Sequence, residues 1–282
     1  MNDSGGNMAR ISGQHSMVKR LARLSVAGLV AACVPGTAEE VQMGNQYAQQ
    51  IEQQLPMVRD PEVVRYINVL GDSIARVVDD RSLTWRFNVV DQDEINAFAV
   101  PGGHIYVNRG LIERTTNMSE LAGVLGHEIA HVTQRHSMKQ MAAAQRANAG
   151  LSIGCILAPS FCQGLAGTGV SAVAQLGFAK FSRDDESESD KFGVLYVSRA
   201  GIDPRGMPSM FRILLRERER NPGSVEAWFA SHPVEESRIR ITEQEIAKID
   251  PVVLRSLTRD SRSFQTFKTR LASLPRSQQR AR

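Results

Sequence analysis

Two histidines four residues apart, His127 and His131, with Glu128 beside the first, constrain this chain more than any other feature. On an α-helix, positions i and i+4 share a face, so both imidazoles can reach one point, while the neighbouring position sits about 100° round the axis. The flanking residues favour that helix. Asn117 followed three residues later by Glu120 has the form of a capping box. Leu121, Val124, Leu125 and Val132 recur at helical spacing, and no proline intervenes from Met118 to Arg146. The arrangement supplies two nitrogen ligands for one metal ion and a carboxylate suited to act as a base, the HExxH signature of zinc hydrolases. The competing interpretation is an amphipathic core helix with two buried, hydrogen-bonded histidines.

The N-terminus carries a targeting pattern. Lys19, Arg20 and Arg23 precede and enter an apolar run from Leu21 to Ala32 that meets Cys33. A positive flank, a short apolar stretch and small residues describe a secretory signal over residues 1–32, too short to span a bilayer comfortably. Leu29-Val30-Ala31-Ala32-Cys33 resembles a bacterial lipobox, which implies cleavage before Cys33, lipid on that residue and a periplasm-facing protein. Val34 at the next position favours the outer membrane of a Gram-negative cell. The alternative is an uncleaved signal anchor. Cys155 and Cys162 then remain as an even pair in an oxidising compartment, either a disulfide or two small buried thiols.

Without residues 1–32 the chain holds 30 basic and 29 acidic residues, formally +1, which argues against nucleic acid as a partner. Charge is uneven: residues 252–282 hold eight Lys/Arg (Arg255, Arg259, Arg262, Lys268, Arg270, Arg276, Arg280 and Arg282) against Asp260 alone. A basic tail over 251–282 is expected, either solvated or touching anionic headgroups, after one domain over 33–250. No charged residue lies between Arg146 and Lys180. That stretch reads as small-residue helices packed on the domain or as a lid, in preference to a membrane span, because it is rich in Gly, Ser, Thr and Gln and contains Pro159.

Periodicity orders the rest. Residues 40–80 read as two helices broken at Pro56 and Pro61, with Ile51, Leu55, Val63, Ile67, Leu70 and Ile74 apolar. Trp85, Phe87 and Val89 alternate in the manner of a strand, and Asn96–Val107 forms two extended segments around Pro101-Gly102-Gly103. Ser182 and the acidic residues after it open another helix, with Phe192, Leu195 and Tyr196 expected on its apolar face. Residues 204–220 form one more, stopped at Asn221-Pro222-Gly223.

Catalytic zinc usually takes three protein ligands and keeps a fourth position for water. At this point four stretches matter together: Asn96-Ala97-Phe98-Ala99 with Pro101-Gly102-Gly103; Leu121 to His131 with Arg135-His136-Ser137; Ser182-Arg183 with Glu186 and Asp190; and Ser231-His232-Pro233 with Arg238-Ile239. In that order they resemble the metallopeptidase family that includes HtpX, the CAAX prenyl proteases and the BepA-like envelope proteases. The resemblance implies Glu186 as third ligand of one zinc ion per chain, with Asp190 one turn later holding a ligand histidine. Glu188, the competitor for the ligand role, projects about 200° from Glu186 on an ideal helix. The resemblance also places His232 near the zinc, either stabilising the oxyanion or acting as a fourth ligand, and gives Arg238 a part in steadying that loop or binding the oxyanion. His136 lies about 140° from His131 on an ideal helix and reads as structural. His104 reads as a surface histidine, with lining the cleft as the alternative.

The expectation is therefore an α+β, mainly helical, gluzincin-like metallopeptidase domain with a small mixed sheet beside the HExxH helix. Glu128 would take a proton from water, and Asn96, Ala97, Phe98 and Ala99 would bind peptide along an exposed strand edge. Substrates would be misfolded or misassembled envelope proteins, with the outer-membrane assembly machinery as a partner. A non-proteolytic chaperone or assembly factor is the alternative from another class. An integral prenyl-protein protease would need several spanning helices.

Overall fold

A computed structural model describes residues 35–145, 180–233 and 236–277. The expected signal over 1–32, Cys33, Cys155, Cys162, the uncharged run up to residue 179, Arg280 and Arg282 lie outside the described residues. Among the described residues no helix is long and apolar enough to cross a membrane.

Two helices lead. α1 spans Thr37–Gln54 and α2 spans Pro61–Ala75, with the break where prolines 56 and 61 require it. Asp60 caps α2 by accepting from the backbone N–H groups of Glu62 and Val63, and Pro61 takes the first position, where no N–H is needed. The apolar stripe Val63, Ile67, Leu70 and Ile74 is buried.

Three strands follow: β1 (Arg86–Val90), β2 (Ala97–Val100) and β3 (His104–Asn108). β3 is central, parallel to β1 and antiparallel to β2, so the sheet is mixed and β2 is an edge strand. Gly102 and Gly103 turn the β2–β3 hairpin with φ of +82° and +101°, a region side chains rarely enter. After the short α3 (Arg109–Arg114) comes α4 (Met118–Thr133), which carries the histidines. Every residue from Met118 to Val132 is buried, so α4 is the central helix. It packs against α5 (Arg183–Arg199), α6 (Gly206–Arg220) and the sheet. Small residues permit the close approach: a Cβ on Gly123 would press on the Met207 backbone of α6, and one on Gly126 on Gly193 of α5.

α4 ends at Thr133. Arg135 adopts φ +58° and ends it, and the chain becomes helical again from residue 136. α5 starts on a reciprocal Ser182–Asp185 capping box. Its buried face is Glu186, Ser189, Asp190, Gly193, Val194, Tyr196 and Val197, whereas Leu195 is exposed, against the expected apolar face. A single 3₁₀ turn (Pro222–Val225) leads to α7 (Glu226–Ser231), then α8 (Glu236–Ile246), α9 (Pro251–Ser256) and α10 (Arg262–Ser273).

The basic segment from residue 251 departs from a solvated tail as far as residue 277. Phe264, Phe267 and Leu271 of α10 are buried in the main core, and Tyr66 of α2 stacks on Phe267 at 4.4 Å. Two of its cations are spent on the domain: Arg270 bonds Asp60 and Arg276 bonds Glu113, each at 2.7 Å. An amphipathic pattern of three apolar residues one turn apart outweighs the net charge that suggested a tail.

Candidate metal centre

α4 presents its two histidines from successive turns because Asn117 caps its start, accepting from the Glu120 N–H. The Glu120 carboxylate turns instead to the Thr116 N–H at 2.6 Å, so only one half of the expected capping box forms. His127 Nε2 and His131 Nε2 are 3.0 Å apart. α5 brings Glu186 to them, with Oε2 3.5 Å from His127 Nε2 and Oε1 3.4 Å from His131 Nε2.

These two nitrogens and two carboxylate oxygens, from a triangle of three residues, converge closely enough to surround one metal ion. Tetrahedral zinc with nitrogen and oxygen ligands at about 2.0–2.1 Å has ligand–ligand edges of about 3.3–3.4 Å. Two neutral imidazoles and a carboxylate suit a divalent ion of this kind. His232, from the end of α7, completes a group of four donors within 4.8 Å of one another, all buried.

Strong charge coupling accompanies this burial, and a metal ion would have to displace the proton that it favours on His127. Burial alone would raise the Glu186 carboxyl, but His232, Arg238 and the two α4 histidines hold it well below its usual range, so it is anionic. His127 Nδ1 lies 3.1 Å from Asp190 Oδ1. Burial opposes the charged imidazole, yet Asp190 and Glu186 outweigh it and lift His127 to about 9. For His131 burial prevails and pushes the imidazole well below its ordinary range. Glu128 is fully buried, with its carboxyl raised by desolvation and neither oxygen hydrogen-bonded to protein.

His232 bridges two of these groups, its Nδ1 2.9 Å from Glu186 Oε1 and its Nε2 3.6 Å from Glu128 Oε1. Arg238 of α8 donates to Asp190 through Nε and Nη2 and to the Pro233 carbonyl through Nη1, which lies 2.5 Å from Glu186 Oε2. Its guanidinium thus ties α5 to the loop that follows His232. Glu188 is turned from the triangle, with Oε2 2.9 Å from His136 Nε2.

Other sequence candidates lie elsewhere. Asn96 and Ala97 are buried, while Phe98 and Ala99 are half-buried on the edge strand. Phe98 stacks on Tyr106 at 5.0 Å. His104 is a buried residue and not a surface one: its Nε2 lies 2.9 Å from Asn45 Oδ1, and burial together with Arg86 lowers it to about 4. Sequence reasoning missed two rings. Phe181 stacks on His131 at 3.9 Å between centroids, and Trp228 sits 5.0 Å from His232. Trp228 is four residues before His232, a helical spacing that could have marked it. Phe181 had no such signal.

Comparison with known proteins adds the lineage. The model of Peptidase family M48 matches residues 61–246. A beta-barrel assembly-enhancing protease of Escherichia coli O157:H7 is 34% identical over 81% of this chain and 48% of its own length. Metalloprotease YcaL of Escherichia coli K12 is 29% identical over 86% of the chain and 88% of its own length. The mitochondrial metalloendopeptidase OMA1 of Schizosaccharomyces pombe is 28% identical over 64% of the chain. The chain spans about half the length of the beta-barrel assembly-enhancing proteases it matches.

Proposed function

From the premise that the chain belongs to peptidase family M48, we propose that it is a zinc endopeptidase of the cell envelope that hydrolyses misfolded or misassembled envelope proteins. The observation that carries this reading is the convergence of His127, His131 and Glu186, whose facing nitrogen and oxygen atoms lie 3.0–3.5 Å apart, beside Glu128, whose oxygens accept no hydrogen bond from protein.

Zinc held by those three residues would supply a Lewis acid and a water of lowered pKa. Glu128 is the base: its raised carboxyl brings proton affinity nearer neutrality, and both oxygens are free to take a proton from water and return it to the departing amine. Asp190 and Arg238 position His127 and Glu186. β2 is an edge strand packed on α4, and peptide added along it would bind through main-chain hydrogen bonds that read little sequence. Asn96, Ala97, Phe98 and Ala99 would form that edge. Extended segments are what misassembled proteins expose, and the beta-barrel assembly-enhancing proteases point by name to outer-membrane proteins or their assembly machinery as partners. Lipid on Cys33 would keep the enzyme at that membrane.

A second reading draws on His232, which lies between Glu186 and Glu128. There it either stabilises the oxyanion or holds the site shut, and a shut site would serve as a holding chaperone until opened. Metal analysis and cleavage of casein by wild type, Glu128→Gln and His232→Ala decide the matter. The peptidase reading expects one zinc per chain in wild type and Glu128→Gln, with hydrolysis lost by at least about 100-fold in the latter. Full proteolysis by zinc-loaded Glu128→Gln would remove Glu128 as the base. A gain on His232→Ala marks the histidine as a plug, and a loss marks it as a stabiliser.

A further inference from the structure

His136 falls outside the ligand group, yet its ring is fully buried and makes two short contacts. Its Nδ1 is 2.9 Å from His131 Nδ1, and its Nε2 is 2.9 Å from Glu188 Oε2. An ideal helix would hold His136 about 140° away from His131. The left-handed turn at Arg135 ends α4 and lets the next residue fold back onto its last turn. That turn is anchored, since Arg135 Nε bonds the buried Glu40 carboxylate of α1 at 2.8 Å and Arg81 bonds the same carboxylate at 2.9 Å.

Proton placement along this chain is determined by the acceptor at its outer end. A carboxylate only accepts, so Glu188 requires the His136 proton on Nε2, which leaves Nδ1 as an acceptor. His131 must then donate from its own Nδ1, and the lone pair of its Nε2 faces His127 Nε2 and Glu186. Ser189 Oγ approaches His136 Nδ1 at 3.3 Å, longer than the His131 contact, and Asp185 Oδ1 lies 3.7 Å from Nε2 as a second carboxylate on the same side.

We propose that Glu188 and His136 are positioning residues that act through His131, fixing its tautomer and ring angle so that Nε2 is presented for the metal. They would do for His131 what Asp190 does for His127. Glu188, the rival for the ligand role in the sequence, thus serves the site from outside it. This rests on the reading of His127, His131 and Glu186 as metal ligands.

The test uses the full chain and zinc as the probe. Affinity is measured by competition with a chromophoric chelator in wild type, His136→Asn, whose amide oxygen can stand near the position of Nδ1, and His136→Leu, which removes the acceptor. His136→Leu should bind zinc about 10–100-fold more weakly, and His136→Asn should recover most of that loss. Thermal melts of the metal-free proteins record folding separately. Independently of any variant, long-range ¹H–¹⁵N NMR of the zinc-loaded wild type should show His136 protonated on Nε2 and His131 on Nδ1. Equal zinc affinity in wild type and His136→Leu, equal losses in the Leu and Asn variants, or a His136 proton on Nδ1 would each overturn the assignment. Failure of wild type to bind zinc would instead remove the metal reading itself, and this inference with it.

Discussion

Arg238 grips both carboxylate oxygens of Asp190, Nε to Oδ2 at 2.8 Å and Nη2 to Oδ1 at 2.6 Å, in a pair that is almost wholly buried. Burial would raise the Asp190 carboxyl, but Arg238 and His127 hold it low, so an anion persists in the core. Removing one partner strands the other charge. Arg238→Met should therefore cost about 3–5 kcal/mol of stability, read from urea unfolding with metal chelated. A loss below about 1 kcal/mol would mean that the pair is solvated or readily replaced.

His104 makes a pH prediction. Its folded value is about 4 against an ordinary 6.5. Between those values the unfolded chain binds the proton that the folded chain refuses, so this contribution to stability falls as pH drops from 6.5 to about 4, then levels. His104→Gln keeps a donor for Asn45 and removes the titration. The stability difference between wild type and variant should change across that window and be constant above it. Parallel profiles throughout would contradict the burial of a neutral imidazole.

Phe264 decides whether the C-terminal basic segment is domain or tail. Its ring is fully buried in the main core, so Phe264→Ala should cost about 3–5 kcal/mol in chemical denaturation. A change within about 0.5 kcal/mol is what a frayed tail would give.

Gly44 seats α1 on the Pro101 carbonyl, where a Cβ would collide. Gly44→Ala should cost about 1–3 kcal/mol through overpacking and loosen the hairpin turn beside it. Hydrogen exchange at Gly102 and Gly103 is the readout, and unchanged protection there would show that α1 moves aside freely.

Much of the site was legible because its chemistry is local. His127, Glu128 and His131 lie within five residues, and one helical turn suffices to relate them. The break between α1 and α2, the Pro-Gly-Gly hairpin and the Ser182 cap were also readable, since backbone restrictions act over two to four residues. The ideal-helix angle kept His136 out of the ligand group, where it stays, but could not foresee its contact with His131. His136 seemed remote from His131 because the left-handed turn at Arg135, braced by Glu40 95 residues earlier, leaves no local mark.

By itself, then, the sequence determined the two imidazoles with Glu128 beside them, the helix that carries them and the Pro-Gly-Gly turn of the small sheet, because short-range periodicity and backbone sterics dictate each. Tertiary structure alone decided that Glu188 faces His136, that His104 is buried, that Phe181 lies on His131, and that a segment rich in arginine closes the core through Phe264. Those outcomes depend on which surfaces meet when distant elements pack, and the burial and pairing they bring about are properties of the assembled interior.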